Sequence, residues 1–246
     1  VLVISPTGVG KTEAVFLPIL SKLKEEEHKP VALLYITPLK SLNRDLLDRM
    51  LWWCQKLDLD VAVRHGDTTA SERKLQVEHP NHIMITTPEQ IQGMLTGKKL
   101  REHLKNLKYI IVDEIHELIE SKRGVQLAVA LERLKRYCGN PQMIALSATI
   151  GSPDLAAKFI FADNKYEIVK AITAKDIDLI VESPYPTKQD KTLAEKIFIG
   201  DSVAARLRRI HEAILQHRST LTFTNTREAA EILSSRLRML DKEFPH

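Results

Sequence analysis

One stretch constrains the fold more than any other: Val1-Leu-Val-Ile-Ser5-Pro-Thr-Gly8-Val-Gly10-Lys11-Thr12. Its apolar, mostly β-branched start reads as a buried strand that breaks at Ser5-Pro6 into a glycine loop. Lys11-Thr12 then opens an apolar-periodic helix through Ala14, Val15, Leu17, Ile19, Leu20 and Leu23. Strand, glycine loop, Lys-Thr and helix form the context of a phosphate-binding P-loop. The glycines let the backbone approach phosphate oxygens, with the N–H groups of Thr7, Gly8, Val9 and Gly10 forming an inward-facing nest. The helix N-terminus adds its positive dipole end. Lys11 is expected to reach the β- and γ-phosphates of ATP, and the Thr12 hydroxyl to hold Mg²⁺. The strict pattern has Gly where this chain has Ser5; a small residue still fits, because the phosphate-facing glycines are Gly8 and Gly10. The competing reading, a glycine-rich turn with a solvated lysine, fails to account for strand, loop and helix together. Pro18 falls inside the helix and is expected to kink it.

A second signal is Tyr109-Ile-Ile-Val-Asp113-Glu114-Ile-His116, an apolar strand ending in adjacent carboxylates. In a parallel α/β sheet the C-terminal strand edge is where ligands bind. Asp113 is expected to hold the Mg²⁺ that bridges the phosphates, and Glu114 to orient and deprotonate the attacking water. Alone this pattern is as often a strand end meeting solvent; beside a P-loop the catalytic reading prevails.

Strand-like and helix-like stretches alternate along the chain. Strands are expected at Val31 to Ile36, Val61 to Arg64, Ile83 to Ile85, Tyr109 to Val112, Met143 to Leu146 and Glu167 to Val169. Helices are expected at Leu39 to Leu57, Gly124 to Tyr137 and Pro153 to Phe161. Continuous apolar strands spaced by helices mean a parallel sheet covered on both faces. From Ala171 to Thr192 the chain is mixed and lacks a helical period, with a strand expected within Ile177 to Val181. A new βα unit follows at Thr220 to Thr224 and Thr226 to Leu240. A domain boundary therefore falls near residue 172: residues 1–172 form a first domain and residues 173–246 an incomplete second one.

The 246 residues carry a net charge of +4, which mildly favours a polyanionic partner and decides nothing alone. Apolar runs are strand-sized, so no membrane-crossing helix is expected and no leader is read at the start. Cys54 and Cys138 stand far apart and away from metal-ligand spacing, which fits a reducing cytoplasm. The chain lacks a starting Met and begins on the P-loop strand, so it is read as a fragment.

Glycine loop plus Asp113-Glu114-Ile-His116 resembles the superfamily 2 helicases, and further stretches match that family in order. Thr37-Pro38-Leu39-Lys40-Ser-Leu-Asn43-Arg44 looks like its first strand-to-helix nucleic-acid motif. Arg64-His65-Gly66-Asp67 and Thr86-Thr87-Pro88-Glu89 look like the next two. Ser147-Ala-Thr149 looks like the motif linking hydrolysis to domain movement. Thr222-Phe-Thr-Asn225-Thr226-Arg227 looks like the first motif of a second motor domain. Within the superfamily, Leu34 to Leu46, Val63 to Asp67 and Val112 to Leu118 are similar in wording to Lhr, the large helicase-related proteins of archaea and bacteria.

The resemblance implies two RecA-like motor domains, ATP and Mg²⁺ as cofactors, and single-stranded DNA or RNA, or a forked or hybrid duplex, as partner. It implies 3′ to 5′ translocation, and it supplies no obligate protein partner. It also implies that His116 contacts the Ser147-Ala-Thr149 turn, coupling nucleotide to strand handling, and it places arginines that complete the ATP site beyond His246. Short polar side chains at a strand-to-helix junction suit phosphate oxygens, so Pro38, Leu39, Lys40, Asn43 and Arg44, with Thr87, Pro88 and Glu89, form candidate strand contacts. Glu89 is read as a cap on the first helical N–H groups. Trp52-Trp53 is read as core packing, with base stacking as the alternative. Lys98-Lys99 and Lys122-Arg123 are read as solvated faces, with a nucleic-acid role as the alternative. A nucleotide-switched clamp without processive unwinding is the second functional reading; an ABC-type or metabolic P-loop protein is disfavoured by Asp113-Glu114-Ile-His116 and Ser147-Ala-Thr149.

Overall fold

The structure is a computed structural model and describes residues 1–26, 28–38, 40–148, 150–162, 164–171 and 178–243, with the side chains of 40–47 and 241–243 not described. It divides into two compact units, Val1–Lys175 and Asp176–His246.

The first unit is built on seven strands, all parallel: β1 (Leu2–Ile4), β2 (Leu33–Ile36), β3 (Val61–Arg64), β4 (Ile83–Thr86), β5 (Tyr109–Val112), β6 (Gln142–Ser147) and β7 (Ile168–Lys170). Their spatial order is β3-β4-β2-β5-β6-β1-β7. Parallel neighbours require a crossover, and helices supply it. They are α1 (Lys11–Glu25), α2 (Lys40–Lys56), α3 (Ala70–Glu78), α4 (Pro88–Thr96), α5 (Lys98–Leu104), α6 (Lys122–Cys138) and α7 (Pro153–Phe161). Because successive strand side chains alternate between faces, β2 feeds two cores at once. Leu34 and Ile36 join Ile91, Leu127 and Leu131 on one face, while Leu33 and Tyr35 join Phe16, Leu20 and Met50 on the other. A sheet covered on both faces is the expected architecture, and it is RecA-like. Helix α1 runs through Pro18.

Three local expectations change. Trp52 and Trp53 stack edge to face at 4.5 Å but stand 56% and 38% exposed, because Met50 and Cys54 occupy the inner stripe of α2. Helix α3 was hidden by its polar sequence, yet Thr69 and Glu72 form a full capping box at its start. Helix α5 begins directly after Gly97, where a short segment leaves little periodicity to read.

The second unit holds α8 (Lys188–Lys196), α9 (Asp201–Gln216) and α10 (Arg227–Glu243). Helix α8 lies partly in the stretch read as lacking helical period; the Thr187–Asp190 capping box sets it. Arg208 of α9 grips Asp190 with two hydrogen bonds of 2.8 and 3.3 Å, joining the two helices. Thr220 to Thr224 is not a strand, and Leu221 and Phe223 are largely exposed. A strand needs a neighbour for its ladder, and none is paired with it among the described residues. The strand expected within Ile177 to Val181 is likewise absent at 178–181, and Ile177 lies outside the described residues.

Candidate functional site

Since every strand of the sheet is parallel, every loop that follows a strand emerges on one edge. The order along that edge is the His65-Gly66-Asp67 loop after β3, Thr87-Pro88 after β4, Thr37-Pro38 after β2, Asp113-Glu114 after β5, Ser147 ending β6, and the glycine loop after β1. Topology thus sorts the row: carboxylates and glycine loop at one end, the Thr- and Pro-bearing loops at the other.

At the glycine loop, Gly10 caps α1 with φ of 87° and Gly8 has φ of 80°, backbone values that side chains disfavour. Ser5 is absent from the positive-φ positions among the described residues, which is why serine is tolerated where the strict pattern has glycine. Lys11 is buried, and its Nζ donates to the carbonyls of Ser5 at 2.7 Å and Pro6 at 3.1 Å. Thr7, Gly8, Gly10, Lys11, Thr12, Thr37, Asp113 and Glu114 line one cleft of about 230 Å³. A larger cleft of about 700 Å³ lies at the opposite strand edge around Asn140, Gln142 and Tyr166, away from the glycine loop and the carboxylates.

The phenol of Tyr35 donates to Asp113 Oδ2 at 2.5 Å, while Oδ1 accepts from the Glu114 N–H at 2.8 Å. Burial pushes the Asp113 carboxyl above its ordinary range against these hydrogen bonds. Burial, then the Asp113 charge, also raises the Glu114 carboxyl. Glu114 adopts left-handed backbone, φ 48° and ψ 46°, the strained conformation that clusters at functional sites. A 3-10 turn over Ile115–Glu117 follows and carries His116. The His116 Nδ1 lies 3.3 Å from Glu114 Oε2, 3.4 Å from the Ala148 N–H and 3.5 Å from Ser147 Oγ. One ring nitrogen therefore stands between the carboxylate and the β6 turn. Thr149, expected in that turn, lies outside the described residues.

The donor set fits ATP and Mg²⁺. Buried Thr37 Oγ1 and Glu114 Oε2 have no hydrogen-bond partner among the described residues, and both residues line the cleft with Lys11 and Thr12. No group of three His, Cys, Asp or Glu among the described residues could hold a metal alone. The Thr12 hydroxyl and the Asp113 carboxylate, in the same cleft beside the phosphate cradle, are hard oxygen donors of the kind that would hold Mg²⁺.

At the other end of the row, Arg73 of α3 shapes the loop after β3. It donates to Thr68 O and His65 O at 2.9 Å each, while His65 Nδ1 accepts from the Asp67 N–H at 3.1 Å. Thr87 N-caps α4 with Pro88 in its first turn, and the carboxylate of Glu89 in that turn meets Arg123 at 2.5 Å. Lys98, Lys99 and Lys122 are exposed, whereas Arg123 is engaged. Leu39 lies outside the described residues, as do the side chains of Lys40, Asn43 and Arg44. In the second unit, Thr226 Oγ1 accepts from the Ala229 N–H at 3.1 Å to start α10, Asn225 is exposed, and Arg227 forms an exposed pair with Glu231. Sequence reasoning did not single out Tyr35 or Arg73, and it read Arg123 as part of a solvated face. A tyrosine inside an otherwise aliphatic strand was the one available signal.

This chain belongs to the DEAD/DEAH box helicase family, whose model matches residues 1–157. It is 40% identical over 98% of its length to the ATP-dependent helicase Lhr-Core of Sulfolobus acidocaldarius, spanning 28% of that protein. It is 36% identical over 98% of its length to a Mycolicibacterium smegmatis protein named as Lhr helicase and probable uracil glycosylase, spanning 17% of it. A solved structure of the Mycobacterium smegmatis helicase Lhr bound to ssDNA and AMP-PNP matches 98% of this chain and 32% of that one, with a TM-score of 0.80 and 34% identity. The chain thus spans less than a third of the length of these relatives. Among its described residues no helix is long and apolar enough to cross a membrane.

Proposed function

We propose that this chain is the ATP-binding part of a helicase motor, and that the full-length protein couples ATP hydrolysis to 3′ to 5′ movement along single-stranded DNA or RNA and to unwinding of forked or hybrid duplexes. The observation that carries this reading is the sorted row on one sheet edge: phosphate cradle and paired carboxylates at one end, helix-start loops suited to phosphate oxygens at the other. The ssDNA and AMP-PNP in the related Lhr structure support both ligands. Residues 1–172 form the first motor domain and residues 173–246 open a second, a division supported by the match to Lhr over 98% of the chain.

The loop N–H groups and Lys11 would hold the nucleotide phosphates, and Thr12 and Asp113 would hold Mg²⁺. When bound, the metal would neutralise charge on the nucleotide phosphates. Glu114 accepts the proton of the attacking water; burial and the Asp113 charge raise its carboxyl above the ordinary range, which strengthens it as a base. His116 relays the state of Glu114 to the turn that holds Ser147 and Thr149, in keeping with its position between Glu114 and Ser147. Pro38, Leu39, Lys40, Asn43, Arg44, His65, Gly66, Asp67, Thr87, Pro88, Glu89, Asn225, Thr226 and Arg227 form the nucleic-acid track, which holds backbone rather than bases.

The test is ATP turnover of the full-length protein with and without single strands, beside strand displacement on matched DNA:DNA and RNA:DNA forks. Stimulation and displacement are expected, both lost in Glu114→Gln while ATP still binds. Stimulated turnover without displacement would instead favour a nucleotide-switched clamp.

A further inference from the structure

Arg123 stands in the first turn of α6, between the loops that follow β2 and β4. Its Nε donates to Glu89 Oε1 at 2.5 Å and its Nη2 donates to the Pro38 carbonyl at 2.6 Å. One planar guanidinium thus ties the two loops together, with donors pointing in fixed directions that an ammonium does not reproduce. Its base is held as firmly. Ser121 caps α6 by accepting from the Gly124 N–H at 3.1 Å, and its own hydroxyl donates to Leu118 O at 2.9 Å. Gly124 approaches Leu118 so closely that an added Cβ would fall 2.0 Å from the Leu118 carbonyl oxygen. Farther along α6, Arg133 hydrogen-bonds Gln92 of α4, and Leu127 and Leu131 share a core with Ile91 and Met94. Helices α4 and α6 are therefore locked along their length, and Arg123 sits where that locked pair meets the functional edge.

We infer that Arg123 is a positioning residue that sets the spacing of the Pro38 and Glu89 loops so that both meet successive phosphates of one strand, without itself touching a phosphate. Its charge is already matched by Glu89, and both donor groups named are directed at protein oxygens. Glu89 in turn belongs to the track through the loop geometry it sets by holding Arg123, not through a phosphate contact of its own. The inference rests on the proposed strand track. It adds to that track a residue whose loss acts through two loops at once.

The experiment is single-strand binding by the full-length protein over a range of salt, with strand-stimulated ATP turnover as second readout. Arg123→Ala should raise the single-strand Kd roughly five- to tenfold and raise the strand concentration for half-maximal stimulation in step. The slope of log affinity against log salt should stay unchanged, whereas loss of a phosphate contact would shallow it by about 0.7. Melting temperature should move by no more than about 3 °C, the scale of a half-exposed ion pair. Arg123→Lys should fail to restore binding, and Glu89→Gln should add little to Arg123→Ala. An unchanged Kd, a shallower slope, or additive effects of Arg123→Ala and Glu89→Gln would each overturn the inference. Arg44→Ala and Thr87→Val separate its failure from that of the track. If they weaken binding and Arg123→Ala does not, only the positioning role falls; if they bind normally, the track falls and the inference with it.

Discussion

The phenol of Tyr35 and the carboxylate of Asp113 are joined by a 2.5 Å hydrogen bond across neighbouring strands. One of the two proposed Mg²⁺ ligands, Asp113, is therefore held by a buried side chain. Burial and the adjacent Asp113 charge push the phenol well above its ordinary pKa, so it remains a donor. Outer groups that orient a metal ligand typically govern affinity by 10–100-fold. Tyr35→Phe keeps the ring and loses the hydroxyl. The Mg²⁺ concentration for half-maximal turnover should rise about tenfold, and Mn²⁺ titration in the presence of a non-hydrolysable ATP analogue should weaken in parallel. An unchanged metal requirement would show that Asp113 is oriented by its backbone contact alone.

Lys11 donates to two loop carbonyls in addition to lining the phosphate cradle. Lys11→Ala should leave far-ultraviolet circular dichroism unchanged and bring ATP hydrolysis down by orders of magnitude, with affinity for ATP falling more than affinity for adenosine. Near-normal turnover would remove the glycine loop from the mechanism.

The close approach of Gly124 to Leu118 leaves no room for a methyl group, and the obstructing atoms are backbone. Gly124→Ala should cost about 1–3 kcal/mol through forced displacement of the α6 start. In a domain this size each kcal/mol lowers Tm by roughly 2–4 °C. A calorimetric scan showing no loss would mean that the segment between Ile119 and Ser121 yields freely.

Burial pushes the thiols of Cys54 and Cys138 from 9.0 to about 11. Around pH 8 their thiolate population is roughly a hundredfold below that of the unfolded chain, and alkylation should be slowed accordingly until denaturant is added. Since the folded state holds these protons more tightly, the associated stability is complete below pH 9 and is lost as pH rises toward about 11. Iodoacetamide trapping followed by mass spectrometry, and melts across that window, check both statements. Rapid labelling of Cys54 in the native state would contradict its burial.

The first unit was legible because its strands are continuous apolar runs, and such runs specify a sheet buried on both faces. The glycine loop and Asp113-Glu114 were legible because their chemistry is local: adjacent residues make adjacent groups. What sequence could not display was partnership across distance. Arg123 looks like one more solvated cation until α6 is laid beside α4, and Tyr35 looks like strand filling until β2 is laid beside β5. The reverse error occurs at Leu221-Thr222-Phe223, where true strand alternation yields no strand, since pattern alone cannot supply a neighbour.

Strand β1 enters the sheet between β6 and β7: Leu2 pairs with Ala145 on one side and Ile168 on the other. During synthesis β2, β3, β4 and β5 have their mutual neighbours once Val112 has emerged, but β1 waits for Ser147 before it has any ladder to join. The residues destined for the nucleotide are thus made before the other strands of this sheet yet docked only after β6. Throughout that interval Leu2 and Ile4 remain apolar surface for a chaperone or an aggregating neighbour to find, and no amount of cellular ATP can act as a folding ligand. Only when the sheet closes around β1 can nucleotide begin to favour the native state by mass action, so its effect should appear on unfolding rather than on the early steps of assembly.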